Sequence, residues 1–113
     1  MIRVEEFITE EEVSPFRRWF DALDHQAAAW VAIAIDRIAE GNTSNAKALS
    51  EGVSELRINR GPGYRVYFGW DGRLLVILLG GGTKKRQQND IQAALRHWRS
   101  YKARKAAGRA GRK

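Results

Sequence analysis

The hydrophobic and polar positions of residues 54–88 predict three consecutive β-strands. Residues 54–59 and 64–70 alternate with a period of two, and a Gly-Pro-Gly and an Asp-Gly sequence follow them as turn formers. Residues 74–79 are apolar at every position, which indicates a strand that is covered on both faces. We therefore predict an antiparallel meander whose last strand ends in three glycines and a cluster of cations.

The alternation divides the side chains of the first two strands between the two faces of the sheet. Leu56 and Ile58 fall on the same face as Val66 and Phe68, where they can pack against helices. The opposite face is expected to be open to ligands. It then carries three polar or charged side chains: Arg57, Arg65 and Tyr67.

Apolar residues spaced three and four positions apart predict three helices. A short strand at residues 2–8 precedes the first helix, which begins either at Thr9 or at Ser14. The second helix is expected at residues 25–40 and the third at residues 84–106.

These elements assemble into a predicted α+β fold with the order βααβββα. A four-stranded, mainly antiparallel sheet packs on a hairpin of the first two helices and on the C-terminal helix, and residues 41–52 form a loop. A length of 113 residues supports one core and therefore one domain. We expect that domain at residues 1–105, followed by a basic, flexible tail at residues 106–113.

Charge is distributed unevenly along the chain. Residues 1–55 hold five Lys or Arg and eleven Asp or Glu, a net charge of −6, whereas residues 56–113 hold fifteen and two, a net charge of +13. Six of these cations lie in residues 102–113, so a solubilising tail explains only part of the excess. A positive pole attracts polyanions, which favours contact with nucleic acid.

Composition excludes several other classes of function. Without Cys there is no disulfide framework, no thiolate metal site and no thiol nucleophile. The two histidines, His25 and His97, cannot form a zinc site alone. Gly80 to Gly82 match neither a dinucleotide-binding nor a P-loop fingerprint. We therefore expect no cofactor and no metal. No apolar run approaches ~20 residues and the first residues are not a signal peptide, so a cytoplasmic location is expected.

A first candidate site lies where the third helix is expected to begin, with Thr83 as its N-cap. Lys84, Lys85 and Arg86 follow the three glycines there. The helix dipole disfavours each cation in the first turn by ~0.3–1 kcal/mol, unless the charges are screened by solvent. Three cations beside exposed helix N–H groups favour an anion site, to which the glycines would give a ligand access.

A second candidate site is the pair Arg57 and Arg65 on the open sheet face. Neighbouring guanidinium groups repel each other unless a carboxylate or another anion lies between them. Glu55 is the structural alternative, and an RNA phosphate held by both guanidinium forks is the functional one. Tyr67 beside them could stack on a base, donate a proton, or be an ordinary half-exposed tyrosine.

Three segments together resemble the RelE/ParE toxin superfamily, and most closely its short HigB-like addiction module killer proteins. They are Glu-Leu-Arg-Ile at 55–58, Gly-Tyr-Arg-Val-Tyr-Phe at 63–68, and Leu-Leu-Gly-Gly-Gly-Thr-Lys-Lys-Arg-Gln-Gln-Asn-Asp-Ile at 78–91. The resemblance extends from about residue 2 to residue 102. It implies the toxin of a type II toxin–antitoxin pair.

Toxins of this kind mostly cleave mRNA on the ribosome without a metal, by attack of a 2′-hydroxyl on the adjacent phosphate. The resemblance implies as catalytic residues Arg57, Arg65, Tyr67, Lys84 and Lys85. The basic surface adds expected RNA contacts at Arg60, Arg73, Arg86, Gln88, Arg96 and Arg99. The implied partners are mRNA, the ribosome and a small helix-turn-helix antitoxin. The toxin is expected to contact operator DNA only through that antitoxin. No membrane partner is expected.

The general base is unassigned at this stage, because no His or carboxylate falls plainly on the basic face. His97 is a candidate by analogy with an imidazole of some HigB relatives. Two other functions stay open: a ParE-like inhibitor of DNA gyrase that performs no chemistry, and an RNA-binding module that is not toxic.

Overall fold

The computed structural model describes residues 1–110, which form five strands and three helices. In chain order these are β1 (Arg3–Glu6), α1 (Pro15–Asp21), α2 (His25–Ala39), β2 (Ala46–Ser50), β3 (Val53–Ile58), β4 (Tyr64–Asp71), β5 (Leu75–Thr83) and α3 (Gln87–Ala110). A 3-10 turn at Lys84–Arg86 joins β5 to α3. The α+β class is confirmed.

The five strands form one mixed sheet in the order β1-β5-β4-β3-β2. Neighbouring strands are antiparallel except for β1, which runs parallel to β5. The predicted count of four strands is wrong, because β2 lies in the segment that was predicted as a loop. Strand β2 itself contains no β-branched or aromatic residue and pairs with β3 through a bulge between Ala48 and Ser50, so local preference carried no signal for it.

A two-residue turn explains how β2 returns as β3. Glu51 and Gly52 both have positive φ, at 56° and 89°, as a type I′ hairpin turn requires. The backbone carbonyl of Glu51 also accepts a 2.8 Å hydrogen bond from the indole Nε1 of Trp98 on α3. Helix α3 therefore holds this turn in place.

Helices α1 and α2 cover one face of the sheet, as predicted from the alternation in β3 and β4. The shared core contains Phe16, Ala27, Val31, Ile38, Leu56, Ile58, Tyr64, Val66, Phe68, Val76 and Leu78. Of the two possible starts for α1, Ser14 is the N-cap, and its hydroxyl accepts from the backbone N–H of Arg17 at 3.0 Å. Thr9 instead closes a turn ahead of the helix by accepting from the N–H of Val13.

Helix α3 packs on the other face, which is therefore covered rather than open along much of its length. Its core contains Phe7, Val53, Tyr67, Ile77, Leu79, Ala94, Leu95 and Trp98. This explains why residues 75–79 are apolar throughout, since β5 has a helix on each side, whereas Leu74 precedes the strand and is 67% exposed.

Helix α3 differs from the prediction at both ends. It begins at Gln87 after the 3-10 turn, and Thr83 makes no side-chain cap. It continues to Ala110, so the first part of the expected tail is helical, while residues 111–113 lie outside the described part. Within residues 1–110, no helix is both long enough and apolar enough to cross a membrane.

Candidate functional site

The strand register brings the candidate arginines together near the start of α3. Arg57 lies opposite Arg65 across β3 and β4, and Arg65 lies opposite Gly82 of β5. Two residues away along each strand, on the same face, Glu55 lies opposite Tyr67. The alternation alone puts the two arginines on the α3 side of the sheet, and the register of β3 and β4 then places them opposite each other.

Glu55 lies at the centre of this group. Its carboxylate accepts from Arg57 Nε at 2.9 Å and from Gln87 Nε2 at 2.8 Å, and it lies 3.3 Å from Arg65 Nε. Only 1% of its side chain is exposed. Glu55, Arg57, Arg65 and Gln87 are called the Glu55 cluster below. One buried carboxylate thus separates two guanidinium groups, as the structural alternative proposed, and leaves the three ionised groups with one net positive charge.

The two arginines of the cluster differ in what they can reach. The side chain of Arg57 is 42% exposed and can meet a ligand, whereas that of Arg65 is 8% exposed. Arg65 Nε is buried and lacks a well-aligned acceptor, since its 3.3 Å approach to Glu55 is an ion pair without hydrogen-bond geometry. Arg65 therefore serves the site mainly by fixing Glu55, which in turn orients Arg57.

Tyr67 is fully buried beneath α3, and its hydroxyl has no hydrogen-bond partner among the described residues. Burial raises the pKa of this phenol above its usual range, and the charges of Glu55 and Asp90 raise it further, while Arg65 opposes them. The expectation of an exposed or half-exposed tyrosine is wrong, because α3 covers this face. In this arrangement the ring cannot stack on a base.

Protein side chains fill the space beside two of the three glycines, so a ligand cannot approach the backbone there. A Cβ on Gly81 would lie 2.2 Å from a ring carbon of Trp19, and a Cβ on Gly82 would lie 2.0 Å from Asp90 Oδ2. Glycine is required at both positions because the indole and the carboxyl group occupy the space of a side chain. The role in ligand access that we expected for these glycines is therefore not what the structure shows.

Asp90 is a carboxyl group that the sequence did not assign to the site. It lies in the first turn of α3, half-buried against Gly82. Burial raises the pKa of this carboxyl group, and the nearby Arg86 partly offsets that effect. In a sequence, an acidic residue near a helix start indicates favourable interaction with the dipole, so nothing marked it as a candidate for chemistry.

Lys84, Lys85 and Arg86 are exposed in the 3-10 turn beside the cluster. The backbone N–H of Lys84 donates to the carbonyl of Gly63 at 3.0 Å, which ties the turn to the β3–β4 loop. A Cβ on Gly63 would be 3.8 Å from both Lys84 Cβ and Arg65 Nη1, so the base of Lys84 and the Arg65 guanidinium flank the same glycine. Within residues 1–110, the ammonium groups of Lys84 and Lys85 have no carboxylate partner.

The remaining candidates divide between two ends of the molecule. Gln88 is exposed in the first turn of α3, and Arg60 lies at the β3–β4 loop on the same end as the cluster. Arg73 lies at the β4–β5 turn, at the opposite end of the strands. Arg99 is paired with Glu51 at that same end, with 2.5 and 3.0 Å hydrogen bonds.

Helix α3 carries the last two candidates. Arg96 is exposed on the helix. His97 packs its ring against Phe7, with the centroids 5.1 Å apart. Burial, followed by the charge of Arg96, lowers the pKa of His97. Since Phe7 follows the edge strand β1, His97 is not part of the Glu55 cluster. Within residues 1–110, no group of three or more His, Asp or Glu lies close enough together to hold a metal ion.

Comparisons with known proteins found a family model and a relative that match this chain. The family model described as phage-derived protein Gp49-like (DUF891) matches residues 18–99. An uncharacterized protein of Haemophilus influenzae (strain Rd) is 41% identical over 80 residues, which cover 70% of this chain and 81% of that protein. The matched range of the family model includes the Glu55 cluster, the 3-10 turn and Asp90.

Proposed function

The chain belongs to the family of phage-derived Gp49-like proteins, and we propose that it is the toxin of a toxin–antitoxin pair that cleaves mRNA. Family membership supports the general assignment to a toxin–antitoxin module. The RelE- or HigB-like chemistry is the finer part of the proposal. The observation that carries it is the group of free cations around the Glu55 cluster, beside a half-buried carboxyl group.

Phosphate binding is assigned to Arg57, Lys84 and Lys85. Arg57 is held by Glu55 through one nitrogen and keeps part of its guanidinium exposed, while the two ammonium groups lack carboxylate partners within residues 1–110. Cations held in place before the reaction stabilise the charge that develops on the phosphorane more effectively than mobile solvent does. Arg65 acts through Glu55 and is a positioning residue in this scheme.

Proton transfer is assigned to Asp90 and to one of the two lysines. Asp90 in its ionised form takes the proton of the 2′-hydroxyl, whose oxygen forms a new bond to phosphorus. The bond from phosphorus to the 5′-oxygen breaks, and Lys84 or Lys85 donates a proton to that oxygen. The products are a 2′,3′-cyclic phosphate and a free 5′-hydroxyl. The raised pKa of Asp90 makes it a stronger base than an ordinary carboxylate.

The test is cleavage of an mRNA in a translating extract, with the new ends mapped chemically. We expect 2′,3′-cyclic phosphate ends with the wild-type protein. The variant Arg57→Ala should cleave about 100-fold more slowly, since the loss of one preorganised charge contact costs about that factor. Arg18→Ala removes an exposed arginine of α1, away from the cluster, and should leave the rate unchanged.

Three outcomes would overturn the proposal or the site assigned to it. Inhibition of gyrase supercoiling with intact mRNA would favour the ParE-like function instead. Binding of RNA with neither cleavage nor inhibition of growth would leave an RNA-binding module. An Arg57→Ala variant that cleaves as fast as the wild type would show that the chemistry lies elsewhere on the molecule.

A further inference from the structure

A second basic surface lies beside the Glu55 cluster, between β3 and helix α2. It is a half-open pocket of about 240 Å³ between α2 and the β3–β4 loop. Its polar and aromatic lining consists of Trp30, Arg37, Asn45, Arg57, Asn59 and Arg60. We call it the Arg37 pocket. Of these residues, Arg57 has a role in the function proposed above, and Arg60 is an RNA contact expected from the sequence.

The charge of the Arg37 pocket is not balanced by the protein. Three guanidinium groups line it and no carboxylate does. Among the described residues, Arg37 and Arg60 form no ion pair, and Arg57 shares Glu55 with Arg65. Arg37 lies in the last turn of α2, where the helix dipole favours a cation, and this accounts for one of the three cations only. An anionic ligand would offset the repulsion among them.

The pocket also has a surface on which a flat ring can stack. The guanidinium carbon of Arg60 lies 5.4 Å from the ring centroid of the half-buried Trp30. Nucleic-acid bases stack on aromatic rings and on guanidinium planes alike. The side-chain amides of Asn45 and Asn59 make no hydrogen bonds with other described residues, so they are free to pair with the edge of a base.

Position and size narrow the choice of ligand. Arg57 belongs to both the Glu55 cluster and the Arg37 pocket, so a chain that follows the positive surface passes from one to the other. A volume of about 240 Å³ lies below the ~300 Å³ at which pockets for drug-sized ligands begin. Such a space suits one nucleotide better than a dinucleotide cofactor.

We infer that the Arg37 pocket binds one nucleotide of single-stranded RNA next to the phosphate held at the Glu55 cluster. Arg37 and Arg57 contact the phosphate of that nucleotide, and its base stacks on Arg60 over Trp30. The position relative to the reacting phosphate rests on the proposed function. The binding of single-stranded RNA does not, and it can be measured without cleavage.

The experiment measures binding of a fluorescein-labelled, fully 2′-O-methylated single-stranded RNA, which cannot be cleaved because it lacks the attacking hydroxyl. Anisotropy is recorded at several salt concentrations for the wild type, Arg37→Gln, Arg60→Gln and Arg18→Gln. Arg18→Gln removes the same charge from an exposed position on α1. Thermal unfolding followed by circular dichroism confirms that each variant is folded.

Arg60→Gln should weaken binding about tenfold, because it removes one of the planar groups on which the base stacks. The slope of log K against log salt is negative, and Arg37→Gln should make it shallower by about 0.7, as expected for the loss of one phosphate contact on a single strand. The control Arg18→Gln should change neither quantity. If the two pocket variants behave like the control, the inference is wrong.

Two further outcomes separate this inference from the proposed function. If wild-type protein binds the RNA through the pocket but cleaves no mRNA, the proposed function fails and the inference stands. If the pocket variants bind RNA normally and instead lose binding to a purified acidic antitoxin, the pocket is a protein contact and the inference fails.

Discussion

Glu55 and Asp90 are the two carboxyl groups of the candidate site, and their surroundings suit them to different tasks. Glu55 is buried and accepts hydrogen bonds from Arg57 and Gln87, so its charge is fixed in place. Asp90 is half-buried and makes no hydrogen bond with other described residues. Two carboxyl groups in such different environments are typical of sites in which one group orients and the other exchanges protons.

The change Asp90→Asn should lower the rate of mRNA cleavage by about 100-fold or more, as the loss of a general base does. In the wild type, the rate should fall as the pH drops through the pKa of Asp90, which lies above its ordinary value of 3.8 because of burial. Arg86 and Tyr67 are the charged or titratable groups that influence the pKa of Asp90. Arg86 opposes the rise in this pKa, and Tyr67 stays neutral at the acidic pH values at which Asp90 titrates. The variant should lack this acidic limb of the pH profile.

A stability measurement distinguishes a catalytic role for Asp90 from a structural one. A raised pKa in the folded state means that folding disfavours the ionised form. Stability from the protonated group is therefore present below pH 3.8 and is lost as the pH rises through the folded pKa. Asp90→Asn should thus fold at least as well as the wild type at neutral pH. A variant that loses activity only because it is unfolded would contradict the assignment.

At the scale of elements, two tryptophans join the helices to the sheet by packing on glycines. Trp19 of α1 covers Gly81 on one face, and Trp98 of α3 covers Gly69 on the other, where a Cβ would lie 2.5 Å from the indole. The absence of a side chain lets each indole lie directly on the strand backbone. The position of α3, and with it Asp90 and Gln87, depends on such contacts.

The change Gly81→Ala should lower the free energy of unfolding by about 1–3 kcal/mol, because the new methyl group would lie 2.2 Å from the Trp19 ring and force it to move. Chemical denaturation measures the effect. Gly108→Ala is the control, since a Cβ there meets nothing within 4 Å and alanine favours the helix. A loss below about 0.5 kcal/mol for Gly81→Ala would mean that Trp19 does not pack as described.

At the scale of the whole molecule, the charge asymmetry of the sequence acquires a place in the fold. The half with a net charge of +13 comprises the second half of β3 and all of β4, β5 and α3, and the half with −6 comprises the helical hairpin and the two edge strands. Both candidate ligand surfaces border the basic half. Long-range attraction of RNA to that side should therefore fall steeply with added salt.

Deletion of residues 106–113 should leave the free energy of unfolding within about 0.5 kcal/mol of the full chain, since residues 106–108 are exposed on α3. The deletion removes Arg109, Arg112 and Lys113. If all three contact phosphates, the negative slope of log K against log salt for single-stranded RNA should become shallower by about 2. Cooperative unfolding of the shortened chain would show that residues 1–105 suffice to form the domain, whereas a clearly larger loss of stability would contradict that boundary.

The periodic parts of the fold could be predicted from the amino-acid sequence. The alternation in residues 54–59 and 64–70 assigned the core residues of β3 and β4 to the hairpin face and placed Arg57 beside Arg65. These assignments succeed because side-chain direction in a strand depends only on position parity. The unbroken apolar run at residues 74–79 likewise identified a strand covered on both faces.

Only the tertiary structure decided what lies over each face and between the arginines. Burial of Tyr67, the filling of the glycine triplet by Trp19 and Asp90, and the strand β2 all depend on packing between segments distant in the chain. Periodicity states which way a side chain points but not what meets it there. That is why the two arginines could be paired from the sequence, while the carboxyl groups that serve them emerged only from the fold.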